Sequence, residues 1–187
     1  NRELVLKKDR DFEFSGRVHA GYFDFYAQKS SFEYDKFRIN LPQIDSMSFM
    51  VNSTTLDDEG RPALVKVKNV ISNLSGDLLV DDPHNKAGLK PYSIYPVFNS
   101  KNESYVYYDK KSIQKGVYKR DKFFYALDPF TMDSLNNFTI EGLQFAGKFS
   151  SGGIIPDMRQ PLKVQDDYSL GFIKPLSAEG VPVYGGK

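Results

Sequence analysis

The chain has 187 residues, enough for one compact domain with a buried core, and its 40% hydrophobic and 26% charged residues exclude a wholly disordered chain. Lys and Arg number 25 against 24 Asp and Glu, so the chain lacks the overall positive charge typical of dedicated nucleic-acid-binding proteins. It has no cysteine, which excludes disulfides, thiolate metal sites and cysteine nucleophiles.

The first quarter of the chain alternates between apolar and polar residues. The alternating apolar positions of residues 11–51 include Phe12, Phe14, Val18, Ala20, Phe23, Phe25, Ala27, Phe37, Ile39, Leu41, Phe49 and Val51. A period of two over several short runs is typical of half-buried β-strands. The 12 Tyr and 15 Phe of the chain also suit a pleated surface.

The next segment permits two structures. Residues 52–61 are polar and predict a loop, after which apolar residues in 64–74 fall at near-helical spacing, with Pro62 before them and Gly76 after them. The valines of the same segment also permit a strand. Residues 86–103, rich in Pro, Gly, Asn and Ser, predict irregular surface chain, and strands are expected again within 105–127, 138–150 and 168–173.

Two kinds of internal repetition stand out. Residues 28–41 resemble residues 114–127 at an offset of 86, inside broader candidate repeats at 12–51 and 104–150. The chain is therefore predicted to be one module, residues 1–187, that is all-β or mainly β with one short helix. Its repeats favour an elongated repetitive sheet or a β-solenoid-like fold, with a β-sandwich as the alternative.

The second repetition is a short phrase with a central glycine, at residues 14–18, 74–78 and 145–149. An apolar residue, a small residue, Gly, a charged residue and an apolar residue follow one another in each copy. This order predicts a strand with a bulge or a close backbone approach at the glycine.

A basic, aromatic stretch is the candidate ligand-binding region. Residues 101–125 carry seven positive and three negative residues with tyrosines between them, a mixture that can stack on sugars or bases and hold phosphate or sulfate groups. The candidate set is Tyr107, Tyr108, Lys110, Lys111, Tyr118 and Arg120. The alternative is a solvated strand face whose aromatic residues pack in the core.

One acidic loop is the candidate metal site. Asp81, Asp82 and Asn85 place oxygen ligands within five residues, which Ca²⁺ could use, although the spacing is not that of an EF-hand. Ordinary turn chemistry is the alternative, and no other cofactor is expected.

The sequence assigns no catalytic residue. Its two histidines are His19 and His84, and neither lies in a Gly-x-Ser-x-Gly or HExxH motif. A triad assembled across the fold and a carboxylate pair facing a cleft both remain open at this point.

Three phrases, at residues 14–37, 104–125 and 166–172, resemble stretches of large, uncharacterised exported proteins of Bacteroidota. The resemblance implies a location in the periplasm, outer membrane or cell surface, and no known activity. The start at Asn1 without Met and the end at Lys187 predict a module excised from a longer chain. The apolar runs are far shorter than the roughly 20 residues of a membrane-spanning helix, so no transmembrane segment is expected.

These observations favour a non-enzymatic structural or interaction module of an exported bacterial protein. Its expected partners are other segments of the parent protein or a surface partner, and no nucleic acid is expected. The alternative is a carbohydrate-binding or carbohydrate-active domain that uses the basic, aromatic stretch.

Overall fold

The computed structural model describes residues 4–186, and its regular structure is almost entirely antiparallel β-sheet. The strands are β1 Leu4–Leu6, β2 Phe12–Ala20, β3 Phe23–Glu33, β4 Arg38–Leu56, β5 Pro62–Lys66, β6 Ile71–Leu79, β7 Val97–Ser100, β8 Ser104–Tyr107, β9 Phe123–Leu127, β10 Thr131–Met132, β11 Gln144–Phe145, β12 Gly147–Ser151, β13 Leu162–Val164 and β14 Leu170–Gly171. The helical residues are two 3₁₀ turns, Lys8–Arg10 and Gln114–Gly116. The predicted mainly-β class is confirmed, while the chain ends at Asn1 and Lys187 lie outside the described residues.

Eleven strands form one large, open sheet. Its main path runs β1-β2-β3-β4-β6-β8-β9-β12, with β5 paired to β4, β7 paired to β6 and β10 paired to β7. Strands β11, β13 and β14 form a separate three-stranded sheet. Strand β4 has 19 residues, so its first part pairs with β3 and β6 and its last part pairs with β5.

Two segments for which no strand was firmly predicted, residues 64–74 and 86–103, both contribute strands. The segment with near-helical spacing forms β5 and the start of β6, so its β-branched residues and not its spacing decide the structure. The segment expected to wander over the surface contains β7, in which Phe98 is fully buried. That expectation is wrong for residues 97–100, because strand β7 pairs with β6 and β10 in the large sheet.

One buried cluster draws residues from both sheets. Phe23 and Phe49 stack at a ring-centroid distance of 5.2 Å, and Phe145 of the small sheet lies 6.3 Å from Phe49. Phe130 contacts the same Phe145 ring at 5.0 Å. The small sheet therefore packs on one face of the large sheet, and the core lies between them.

The two faces of the large sheet differ along neighbouring register rows. One row crosses seven strands as Leu6, Phe12, Phe32, Ile39, Leu78, Phe98 and Met132. The adjacent row reads Val5, Glu13, Ser31, Asn40, Asp77, Asn99 and Thr131. Because successive side chains of a strand point to opposite faces, the first row lies on the core face and the second on the polar face.

The repeated phrases share local structure only in part. Residues 28–33 lie in β3, whereas residues 114–122 form a 3₁₀ turn and irregular chain. The second halves, 38–41 and 123–127, are both strands. The wider repeat over 12–51 and 104–150 stays a prediction.

The glycine of the short phrase behaves as predicted in all three copies. The register of β2 against β3 shifts between Phe14 and Gly16, which marks a bulge. A Cβ on Gly76 would lie 2.8 Å from Cε2 of Phe98, and a Cβ on Gly147 would lie 2.6 Å from Cε1 of Tyr125. At these last two positions only glycine permits the close approach of strand and aromatic ring.

Candidate functional site

The basic, aromatic stretch begins in β8 and then leaves the sheet. In β8, Ser104 and Val106 are buried, while Tyr105 and Tyr107 are partly exposed on the opposite face. Tyr108 follows directly, so it points to the core side. Neighbouring tyrosines of the predicted set therefore lie on opposite faces.

Three residues of the predicted set come together on the Tyr107 side. The guanidinium carbon of Arg120 lies 3.9 Å from the centroid of the Tyr107 ring, a cation–π contact. Lys110 and Asp109 line a small cavity of about 170 Å³ together with these two residues. The Arg120 guanidinium already covers one face of the Tyr107 ring, so that face is not free for a ligand.

Tyr108 and Tyr118 are packed elsewhere. The Tyr108 hydroxyl donates to the carbonyl oxygen of Leu170 at 3.2 Å, and burial raises the pKa of this hydroxyl. Phe123 packs between the two tyrosines, edge-on to Tyr108 at 5.9 Å and stacked on Tyr118 at 3.9 Å. Lys111 is exposed on the intervening loop. Five of the six predicted residues thus fall into two groups, and the set does not form one continuous platform.

Tyr108 and Lys110 also line a cavity of about 670 Å³ between three loops. On its wall, Lys68 Nζ pairs with Asp167 Oδ2 at 3.0 Å, and Ser169 donates to Asp167 Oδ1 through its hydroxyl. The Ser169 hydrogen bonds and the Lys68 charge lower the pKa of Asp167 to about 2. Sequence reasoning missed this pairing because its two partners are 99 positions apart.

The candidate metal loop is closed by its own hydrogen bonds. Asn85 donates to Asp81 Oδ2 at 2.7 Å and accepts from the Lys90 backbone N–H at 2.9 Å. Asp82 Oδ1 accepts from the backbone N–H of His84 at 2.8 Å. Across residues 4–186, no cluster of three His, Asp or Glu side chains is arranged to hold a metal ion. The calcium site stays a prediction.

His19, Asp24 and Ser48 lie side by side on three neighbouring strands, but their order differs from that of a catalytic triad. Its Nδ1 is 2.8 Å from Asp24 Oδ1, which also accepts from Arg17 Nε at 2.8 Å. Ser48 is the neighbour of Asp24 on the next strand. The carboxylate therefore stands between the histidine and the serine, whereas a triad places the histidine between the other two groups.

The apolar side chains at the β1 edge form a surface that sequence reasoning did not single out. We call this surface the apolar end; it consists of Leu4, Leu6, Phe12, Phe14, Phe32 and Phe37. The Phe12 and Phe32 rings stack at 4.9 Å, and both side chains stay partly exposed. Leu4 and Leu6 are 60% and 74% exposed. The signal in the sequence is the unbroken apolar run Leu4–Leu6, which departs from the alternation of the following strands.

No protein-family model, curated protein or solved structure matches this chain. Within residues 4–186, no helix has the length and apolar character needed to span a membrane.

Proposed function

We propose that the chain is a non-enzymatic structural and interaction module of an exported bacterial protein, and that its apolar end binds an extended apolar strand of another protein segment. The observation that carries the proposal is the seven-strand apolar row, which is buried at Phe98 and left exposed at Leu6. The resemblance to exported Bacteroidota proteins supports the extracytoplasmic setting.

The backbone of β1 explains why the partner should be a strand. β1 pairs with β2 on one side and is the first strand of the large sheet, so its other side presents unpaired backbone groups in the described residues. An edge strand of this kind is a template for an added strand. Strand addition would satisfy the backbone of β1 and extend the sheet.

The side chains explain why that strand should be apolar. Leu4 and Leu6 lie on the core face, opposite Phe14 and Phe12 of β2. Contiguous apolar surface that a protein leaves exposed commonly marks an interaction site. Each Å² removed from water contributes about 25 cal/mol, so an added strand with apolar residues on this face gains from both leucines.

The same arrangement supports a sandwich-like architecture for the module. A core between two sheets fits a two-layer fold, and the open path from β1 to β12 has a distinct beginning and end. An elongated module of repeats would instead place equivalent strands at equivalent positions. We therefore favour the sandwich-like alternative over the solenoid.

A peptide with the sequence of residues 11–15 tests the proposal, because it copies the strand that already pairs with β1. Added to the isotope-labelled chain, it is expected to shift the NMR amide signals of residues 4–6 and of Phe12 and Phe14. A scrambled peptide of the same composition should leave these signals unchanged. The double variant Leu4→Lys/Leu6→Lys should lose the response and keep its fold, since both side chains are exposed.

Gel filtration of the chain without peptide tells whether a second copy takes the place of the added strand. A dimer that the double variant dissociates would identify that strand as β1 of the second copy. The proposal is wrong if the chain is monomeric and the peptide leaves the signals of residues 4–6 unchanged.

A further inference from the structure

The polar face of the large sheet is creased by bulges that lie side by side. The register shifts between Phe14 and Gly16 in the β2–β3 ladder, between Tyr26 and Ala27 in the β3–β4 ladder, and between Leu41 and Ile44 in the β4–β6 ladder. A bulge bends its strand and redirects the neighbouring side chains. Adjacent bulges in three ladders therefore produce a crease across β2, β3 and β4.

A groove of about 740 Å³ lies in this crease, and we call it the bulge groove. Its lining residues are Ser15, Gly16, Arg17, Tyr26, Ala27, Gln28 and Asp45. A Cβ on Gly16 would meet no atom within 4 Å, so this part of the groove is open space. The groove is thus accessible to a ligand at the point where the sheet bends.

Tyr26 is the aromatic residue of the bulge groove. Its side chain is 42% exposed, and its neighbours in the register are Arg17 on β2 and Ser46 on β4. Tyr107, in contrast, is covered by Arg120. An exposed aromatic ring in a polar groove offers an apolar surface on which the C–H face of a sugar ring can pack.

The polar side chains of the groove are held in place by one another. Gln28 Nε2 donates to Asp45 Oδ2 at 2.6 Å, and Gln43 Nε2 donates to Asp45 Oδ1 at 3.2 Å. These contacts fix planar groups with further acceptor capacity near Tyr26. Amides and carboxylates in fixed positions can bind the hydroxyl groups of a sugar.

The charges of the groove disfavour an anionic ligand. Arg17 Nε donates to Asp24 Oδ1 at 2.8 Å, so its positive charge is balanced within the protein. Asp45 adds a negative charge, and its hydrogen bonds come from neutral amides. A sulfated or carboxylated sugar would meet no surplus positive charge here.

We propose that the bulge groove binds a neutral saccharide chain, with one sugar ring packed on Tyr26 and its hydroxyl groups hydrogen-bonded to Gln28 and Asp45. This site is separate from the apolar end. It also differs from the predicted stretch around Tyr107, so it places carbohydrate binding on another surface of the molecule.

Affinity electrophoresis in native gels tests the proposal, with laminarin, xyloglucan, galactomannan or starch in the gel and alginate as the anionic comparison. At least one of the four neutral polysaccharides is expected to retard the chain. Tyr26→Ala should raise the dissociation constant for that polysaccharide roughly tenfold, a loss of about 1.4 kcal/mol, because one aromatic contact is removed. Tyr26→Phe keeps the ring and should bind as the wild type does.

Tyr92→Ala is the matched control, since Tyr92 is also 42% exposed but lies outside the groove. Gln28→Ala provides a second groove variant with an exposed side chain and should weaken binding severalfold. The proposal is overturned if no neutral polysaccharide retards the chain, if only alginate does, or if Tyr26→Ala and Gln28→Ala both bind like Tyr92→Ala. Loss of binding in Leu4→Lys/Leu6→Lys would also contradict it.

Discussion

The two ends of one register row show how the same sequence pattern can lead to different environments. At one end, Phe98 and Met132 are 0% and 6% exposed. At the other end Phe12 is partly exposed and Leu6 is 74% exposed, although all four residues lie on the same face of the same sheet. The difference is what packs above them.

The covered end of the row lies under the second layer. Phe130 contacts Phe98 at 6.1 Å and Phe145 of the small sheet at 5.0 Å, so it links the two layers. The rings at the exposed end, Phe12 and Phe32, contact each other and lie outside the buried cluster. Alternation thus defines the apolar face, whereas the length of the second layer decides how much of that face is buried.

The largest expected difference in the free energy of unfolding is between two variants that each truncate one phenylalanine, one at each end of the row. Phe98→Ala removes a fully buried ring and is expected to lower the free energy of unfolding by about 3–5 kcal/mol. Phe12→Ala removes a partly exposed ring and should cost less than about 1.5 kcal/mol, because less surface is returned to water. Urea denaturation monitored by circular dichroism measures both values. Equal losses would show that the exposed end is covered in solution.

The adjacent polar row also has one acidic residue that is buried and one that is exposed. Asp77 is 8% exposed and forms an ion pair with Lys101, whose Nζ lies 2.6 Å from Asp77 Oδ2, while Glu13 pairs with Lys7 at 3.2 Å in solvent. Asp77→Ala should lower the free energy of unfolding by about 1–3 kcal/mol, because Lys101 and the partly buried guanidinium of Arg38 lose their carboxylate partner. Glu13→Ala should change it by less than about 0.5 kcal/mol.

Equilibrium unfolding in urea at neutral pH measures the cost of both substitutions. A cost for Glu13→Ala as large as that for Asp77→Ala would mean that both ends of the polar row are equally shielded from solvent. That outcome would remove the distinction between the two ends.

Sequence reasoning predicted the strands wherever alternation was regular. It predicted β2, β3 and the first part of β4, and it located the special role of Gly76 and Gly147, because both signals are local. It could not place the buried strand β7, since that strand follows a run of turn-forming residues and is ordered by its pairing with β6 and β10. Strand pairing across the chain is not readable from a single segment.

The candidate sites were less accessible to sequence reasoning for the same reason. Tyr107 and Tyr108 are neighbours in sequence but face opposite sides, so a stretch rich in tyrosine did not become one surface. The bulge groove joins Tyr26 to Asp45 through the pairing of β3 with β4, and the aligned bulges that open it depend on three ladders. Only the folded sheet brings these residues together.

A chain of charges connects the exposed end to the covered end and should respond to pH. Glu33 accepts from Lys36 and Arg38, and Arg38 Nη1 lies 3.7 Å from Asp77 Oδ2. The hydrogen bonds from Lys36 and Arg38 lower the pKa of Glu33 from its ordinary value of 4.5. The stability that this carboxylate contributes is therefore fully present above about pH 4.5 and is lost as the pH falls through the lowered pKa.

Glu33→Gln should remove this contribution, so the gap in urea midpoint between wild type and variant should be widest near pH 7 and should close in acid. Glu13→Gln is the matched control, because the Glu13–Lys7 pair is exposed and its gap should be smaller at neutral pH. A Glu33→Gln gap that stays constant from pH 7 to strongly acidic conditions would contradict the link through Arg38. If the gap closes as expected, the charge chain stabilises the sheet at the place where its covering layer ends.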